Sequence, residues 1–523
     1  MNIQFLNREN SILRLFSVYL NLLFLLLALV LVFTQNIENI LSIVPDDAFY
    51  YFKIAENFTQ SGKLTFDGFA NTNGFHPLWL LFILPVKYFL KMSPEINVKI
   101  ILLIQLLLCF VSIKLLICRI KTVYSTATVI VIFSYFLFKI IGNYINGLES
   151  SLLFFLYTIL FCYSFDKRLG FNESKANYVI LGILSGLIVL ARLDQIFLVS
   201  SFVLYTLFSK DKKGRLIDSV RYTGGFLLLF IPYLLFNIIY FDSMMPISGK
   251  LKSTFPHISF SLKLLYDCLN KVTILAILSL IWIVVAKYRN FKFISKPISG
   301  IFIIFSMTVL THFLHTVFFM NWAAFSWHYS FYIFFSLLVF LEPFESILSR
   351  FKFKTTIIVA VLLFLIINFL GIKEVYSKMQ VNENNNWKVQ VYRSAIWAKK
   401  NSESQSIFAM SDAGIFSYFS ERRVVNLDGL VNNLDFQEVL KDGRLKSYLA
   451  ERKVKFIVHH SIWDQPDVIS GEYQQYAKRY PSRLYEGASD NIVLEKKHEV
   501  FRSDTFFDGS YKSVLIIWET EWF

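Results

Sequence analysis

The sequence predicts a mainly α-helical, polytopic membrane protein with a small α/β domain at its C-terminal end. Three observations carry that reading. Of 523 residues, 55% are hydrophobic and only 17% charged, against about 25% charged in soluble domains. Apolar runs approaching the ~20 residues that a spanning helix needs recur from the N-terminus to residue 372. Beyond that point the chain turns polar and short strand-like runs appear. Many of the 56 Phe and 27 Tyr residues lie near the ends of the apolar runs, where aromatic belts form.

A net charge of +14 would suggest nucleic acid in a soluble chain. Here the charges fall in short loops between apolar segments, so the partner they imply is the bilayer and no nucleic acid is expected. Four cysteines (Cys109, Cys118, Cys162, Cys268) show neither metal-site spacing nor a disulfide framework. The first apolar run follows the charge order of a signal peptide. It is too long for one and lacks a small-residue cleavage site before Pro45, so it reads as a retained first span.

The expected spans are 12–34, 98–117, 124–141, 149–165, 177–191, 194–208, 219–240, 270–287, 299–319, 328–344 and 354–372. The run 77–90, interrupted by Pro85 and Lys87, is the ambiguous one. If it does not cross, Arg8 and Arg14 fall on the cytoplasmic side with all five basic clusters. These are Arg119/Lys121, Lys167/Arg168, Lys210/Lys212/Lys213/Arg215, Lys287/Arg289/Lys292/Lys296 and Arg350/Lys352/Lys354. That arrangement gives eleven spans, a cytoplasmic N-terminus, and an outer loop over 35–97 containing an amphipathic helix at 46–60. Residues 1–374 then form the membrane domain, and 375–523 an extracytoplasmic domain on the same side as that loop. The latter should open with a helix from Trp387 to Lys399, followed by strands at Ile407–Met410, Arg423–Leu427 and Lys455–His459.

This topology brings six polar motifs to one face, around residues 46–47, 71–77, 146–150, 192–194, 246–252 and 327–329. Asp46 and Asp47 follow the first span. One acid suits a helix N-cap, but two at a bilayer edge are more than a cap needs, and they read as a catalytic pair. Glu149 opens an apolar helix, either as a cap or as a second functional acid. Arg192 and Asp194 form a mutual ion pair or leave the guanidinium to grip a phosphate or substrate. Lys250 and Lys252 break the positive-inside pattern, which suggests a local anion, although Lys263 and Lys271 show that outer lysines occur here. Tyr50, His76 and His328 complete the expected substrate contacts. His312 and His315 lie one helical turn apart and with Asp46 and Asp47 would make a divalent site. No zinc-type spacing supports one, and a metal is not the favoured reading. In the tail, Ser411-Asp412-Ala413-Gly414 and Asn426-Leu427-Asp428-Gly429 read as ordinary turns, and no Gly-rich phosphate loop is found.

Taken together, Asp46-Asp47-Ala48-Phe49-Tyr50-Tyr51, Asn73-Gly74-Phe75-His76-Pro77, Asn146-Gly147-Leu148-Glu149-Ser150, Ala191-Arg192-Leu193-Asp194 and Pro246-Ile247-Ser248-Gly249-Lys250 resemble bacterial members of the C-type glycosyltransferase superfamily. Its relatives include protein O-mannosyltransferases, aminoarabinose transferases and oligosaccharyltransferases. Asp412-Ala413-Gly414 and Val425 to Asn432 resemble the extracytoplasmic domain of such members. The resemblance implies a sugar donor on a polyprenyl-phosphate carrier, and a glycan, lipid or protein acceptor at the outer face of the cytoplasmic membrane. It implies an inverting displacement, with Asp46 or Asp47 as general base and Glu149 as a second acid. Arg192, and with it Lys250 and Lys252, would bind the lipid phosphate. The oligosaccharyltransferase branch uses a divalent metal and the monophosphate-donor branch needs none; with no tight ligand cluster in the sequence, the metal-independent branch is favoured. The alternative is a transporter or flippase of a lipid-linked saccharide, which would need polar residues at mid-membrane and a path to both faces.

Overall fold

The computed structural model describes residues 3–167, 169, 177–208, 215–260, 262–288, 299–320, 322, 325–379, 386–462, 474–475, 493–494, 496–508 and 511–520. Arg168, the clusters Lys210–Lys213 and Arg289–Lys296, and linker residues 382–385 lie outside them. So do the side chains of Arg8, Lys263 and Lys271.

Helix α1 (Ile3–Leu29) runs into a π-turn and is followed by α2 (Ile37–Ile43), α3 (Asp46–Ser61), α4 (Pro77–Leu90), α5 (Pro94–Ile120), α6 (Thr126–Tyr144) and α7 (Ser150–Asp166). Then come α8 (Tyr178–Ala191), α9 (Ile196–Phe208), α10 (Arg215–Phe241), α11 (Ile247–Lys252), α12 (Leu262–Cys268), α13 (Lys271–Tyr288), α14 (Ser299–Phe319), α15 (Ser330–Leu348) and α16 (Phe353–Met379). Among the described residues, seven helices are long and apolar enough to cross a membrane: those formed by α1, α5, α6, α10, α14, α15 and α16. The other four expected spans are the shorter apolar helices α7, α8, α9 and α13. The segment 77–90 is a helix of 14 residues, the same length as α8, and belongs with these shorter apolar helices.

Local chemistry explains the helix ends. Ser93 and Ser125 cap α5 and α6, each accepting the amide three residues on. Pro77 and Pro94 occupy first-turn positions, where a missing N–H costs nothing. Helix α3 starts at Asp46, as its period predicts, and stops at left-handed Gly62. Neither aspartate caps it. Pro45 holds the N-cap position, and Asp46 and Asp47 are the first two helical residues.

The C-terminal part holds α17 (Trp387–Asn401), β1 (Ile407–Met410), α18 (Gly414–Ser420), β2 (Arg423–Asn426), α19 (Leu434–Lys441), α20 (Leu445–Glu451), β3 (Val454–Ile462), β4 (Gln474–Gln475), β5 (Val493–Leu494), β6 (Glu499–Arg502), β7 (Phe506–Asp508) and β8 (Tyr511–Glu519). Its main sheet has the order β2-β1-β3-β8-β6, with β7 also on β8. Strand β1 lies parallel to β2 and β3, and β8 runs antiparallel to β3. Strand alternation sorts the core. Ala409 and Val425 face a cluster with α19 and α20, whereas Phe408, Met410 and Val424 belong to a core continuous with the helical bundle.

Continuity is built at α18, which lies on α3 through Phe49–Tyr418, Phe49–Phe419 and Phe52–Tyr418 ring contacts of 5.4–5.7 Å. Arg393 of α17 makes a two-point pair with Glu38 of α2, at 3.0 and 3.1 Å. Buried Lys87 of α4 bonds the Tyr418 hydroxyl. The tail is thus fastened to the segments before and after α3.

Candidate active site

All six polar motifs contribute walls to one polar cavity of about 60 Å³. Asp47 and the rings of Tyr50 and Tyr51 come from α3, Gly74 and His76 from the strap before α4, and Glu149 from the start of α7. Arg192 comes from the end of α8, Ser248 and Lys252 from α11, and Trp327 and His328 from the turn before α15. The tail supplies Leu430 and Val431. A second, mostly apolar cavity of about 460 Å³ lies beside it among α9, α10 and α14, lined by residues such as Phe197, Phe230, Leu234 and Met320. Five residues line both: His76, Arg192, Ser248, Lys252 and His328. The septum between an apolar chamber and an acidic one is therefore made of basic and hydroxyl side chains.

Arg192 sits between two carboxylates. Its Nε donates to both Asp194 oxygens at 3.0 Å and its Nη2 lies 2.9 Å from Asp194 Oδ2. Nη1 donates to Glu149 Oε1 at 2.5 Å. Arg192 is 4% exposed and Glu149 1%. Charges so deeply buried persist only when paired and hydrogen-bonded. Glu149 occupies the N-cap position of α7 but makes no capping bond. Its carboxylate belongs to Arg192. The turn before it is held by Gln105, which accepts the Gly147 amide at 2.8 Å, and by Trp79, whose Nε1 donates to the Gly147 carbonyl at 3.2 Å.

Asp194 also accepts from Gln195 at 2.7 Å and faces His312 Nε2 at 3.7 Å. His312 thus joins the arginine network rather than Asp46 and Asp47, and no group of three metal-competent side chains occurs among the described residues. His76 Nδ1 accepts the Leu193 amide at 3.3 Å, which leaves Nε2 to carry the proton, 3.9 Å from Glu149. Burial lowers its pKa below 6.5, Glu149 opposing that drop, so His76 tends to the neutral donor form. His328 Nδ1 likewise accepts the Phe325 amide at 3.2 Å.

The two adjacent aspartates have different surroundings. Asp46 lines neither cavity. Its two oxygens accept the Gly414 and Ile415 amides at 2.9 and 2.7 Å, so its carboxyl group closes the N-terminus of α18. The approach is close: a Cβ on Gly414 would lie 2.3 Å from the Asp46 carbonyl oxygen. Asp47 faces the polar cavity. Burial pushes its carboxyl above the ordinary 3.8; Lys252 and Arg192 oppose the rise, while Asp428 and Glu149 add to it. The lysines also separate. Lys252 lines both cavities, with Nζ 5.9 Å from the Trp322 ring, whereas Lys250 is exposed and lines neither.

The turn-like tail motifs are docking elements. Tyr50 donates to Asp428 Oδ2 at 2.9 Å, and Asn426 Nδ2 donates to the same oxygen at 2.9 Å and to the Tyr50 hydroxyl at 3.2 Å. Thr72 donates to the Asn432 carbonyl at 2.9 Å. Nothing in the local sequence distinguishes these turns from solvent-facing ones. Their only signal was the joint resemblance of residues 412–432 to a larger pattern.

Residues 379–503 match a family described as a domain of unknown function (DUF8728). No curated protein matches the chain by sequence. Two solved structures share its fold at low identity. The archaeal oligosaccharyltransferase AglB from Archaeoglobus fulgidus, in complex with an inhibitory peptide and a dolichol-phosphate, aligns with a TM-score of 0.51 and 13% identity. It covers 85% of this chain and 69% of its own. ArnT from Cupriavidus metallidurans, bound to undecaprenyl phosphate, aligns with a TM-score of 0.52 and 10% identity, covering 95% of this chain and 97% of its own. The chain shares the fold of these two membrane proteins.

Proposed function

We propose that the chain is a membrane glycosyltransferase that moves a sugar from a polyprenyl-phosphate carrier to an acceptor hydroxyl or amine. The observation that supports it most is the pair of cavities meeting at a basic septum, with Asp47 on the polar side. An isoprenoid chain suits the apolar chamber, its phosphate the septum, and its sugar the space toward Asp47. Lys252, the His76 and His328 N–H groups and the free edges of Arg192 would meet charge developing on the departing phosphate. Asp47, deprotonated, would take the acceptor proton as its oxygen or nitrogen attacks the anomeric carbon. One displacement inverts that centre, and no covalent enzyme intermediate forms.

Glu149 acts in this scheme by holding Arg192 rather than as a base. The reaction is proposed to need no metal, since Glu149 and Asp194 are engaged by Arg192 and Asp46 by two amides. The site is assigned to the outer face of the cytoplasmic membrane. Helices α7 and α15 start at the site and end near Lys167 and Arg350, and Arg119 pairs with Asp166 at that far end, where positive charge marks the cytoplasm. The tail, docked at the site end, is extracytoplasmic in this reading.

The test is transfer from a radiolabelled polyprenyl-phosphate sugar mixture in membranes carrying wild type or Asp47→Asn, with an EDTA arm. Transfer by wild type alone, insensitive to EDTA, supports the proposal. Movement of labelled lipid between leaflets without transfer would establish a flippase instead.

A further inference from the structure

We infer that the tail loop 426–432 is part of the catalytic centre, and that Asp428 is a positioning residue acting through Tyr50 on the turn of α3 that carries Asp47. The inference rests on the reading of Asp47 as base, and it gives the domain of unknown function a part in the reaction.

The geometry starts from helix periodicity. Residues 47 and 50 lie one turn apart on the same face of α3. The Tyr50 hydroxyl donates to Asp428 at 2.9 Å, so the tail grips that face directly beside Asp47. Asp428 is itself held rigidly: Oδ2 accepts the Asp412 amide at 3.1 Å and Asn426 Nδ2 at 2.9 Å, and Oδ1 accepts the Leu430 amide at 2.9 Å. A carboxylate fixed by this many donors cannot swing away to solvent. The Leu430 bond also sets the loop that closes the cavity, since Leu430 and Val431 form its tail-side wall. One residue therefore couples three things: the orientation of the α3 turn, the position of the closing loop, and a negative charge near the base.

That charge makes the role measurable. The charged groups around Asp47 are Lys252 of α11, Arg192 at the end of α8, Glu149 at the start of α7, Asp428, and the neighbouring Asp46 of α3. Lys388 of α17 also feels Asp47, and Tyr50, Tyr51, His76 and His328 are the other titratable walls. Removing the Asp428 charge leaves the cations less opposed, so Asp47 becomes a weaker base that ionises at lower pH.

The experiment compares full-length wild type, Asp428→Asn and Tyr50→Phe in transfer assays across pH, with hydrogen exchange on the purified proteins. In Asp428→Asn we expect kcat to fall about tenfold and the acid limb of the rate profile to move down by about half a pH unit. Tyr50→Phe keeps the charge and should lower kcat with the limb in place. In both, amides of the first two turns of α3 should exchange at least about tenfold faster. A purely structural Asp428 would lower yield without moving the limb. Wild-type kcat and limb in Asp428→Asn would overturn the inference. Unchanged α3 protection would also overturn it, even if no donor is turned over. Absence of wild-type transfer with faster α3 exchange in both variants would reject the base assignment and leave the tail–α3 coupling standing.

Discussion

The Asp46 carboxylate holds the first amides of α18 through Gly414 and Ile415, 368 and 369 residues further along the chain. Its neighbour Asp47 lines the polar cavity. Helical geometry separates consecutive residues by 100°, which allows one aspartate to fasten the tail while the next faces the cavity.

Substitution should therefore split the pair. Asp47→Asn should lower transfer by at least about 100-fold with thermal unfolding in detergent unchanged or slightly later. Asp46→Ala strands two amides and should cost about 2–4 kcal/mol, with the tail becoming sensitive to protease. Equal transfer defects without any loss of stability in Asp46→Ala would refute the division.

Activity should disappear on acidification at a pH above 3.8, because burial raises the Asp47 carboxyl and the base works only when deprotonated. Stability runs the other way. A carboxyl whose folded value is raised binds its proton more tightly when folded, so stability falls as pH rises through the window between the unfolded and raised values. Asp47→Asn should escape that fall. Wild type and variant with parallel stability–pH curves would sink this assignment.

Arg192 cannot be replaced alone. Arg192→Met removes the guanidinium from fully buried Glu149 and leaves half-buried Asp194 to Gln195 and His312, and should destabilise by about 3–5 kcal/mol. Adding Glu149→Gln and Asp194→Asn should recover most of the unfolding temperature but none of the transfer. If the single variant melts like wild type, the buried clamp does not exist in the membrane.

Gly74 tests the seam between strap and tail. A Cβ there would lie 2.2 Å from the Leu430 carbonyl oxygen, a backbone atom that cannot rotate aside. Gly74→Ala should cost about 1–3 kcal/mol and lower transfer by shifting the closing loop, although every polar side chain of the cavity is kept. Unaltered turnover would mean the loop stands open during the reaction.

Much of this was legible in advance where a local rule operated. The six polar motifs stand out by residue type in the sequence, and a single cavity joins them. The α3 start and the strand at Ile407–Met410 follow from period and composition. What stayed hidden depended on long-range partners. Nothing near Asp46 indicates Gly414, and Asp428-Gly429 looks like any turn until Tyr50 meets it. Lys250 and Lys252 were equivalent as loop residues. Once residues 247–252 wind into α11 they point about 200° apart, and only Lys252 reaches the cavities.

The bond between Tyr50 and Asp428 joins residues 378 apart in the chain, and that separation sets an order of birth. While the ribosome is still making the helices, every wall of the site contributed by residues 47–328 can already be in place, yet the turn bearing Asp47 has nothing to lean on. In the proposed orientation, the stretch that steadies it is synthesised after all of those walls and must first be exported. A half-made or half-exported chain would then hold the donor-side chamber without a finished reaction centre. On the proposed function, activity would wait for residues 426–432 to reach the α3 turn, and a nascent chain lacking them would leave the carrier lipid unconsumed.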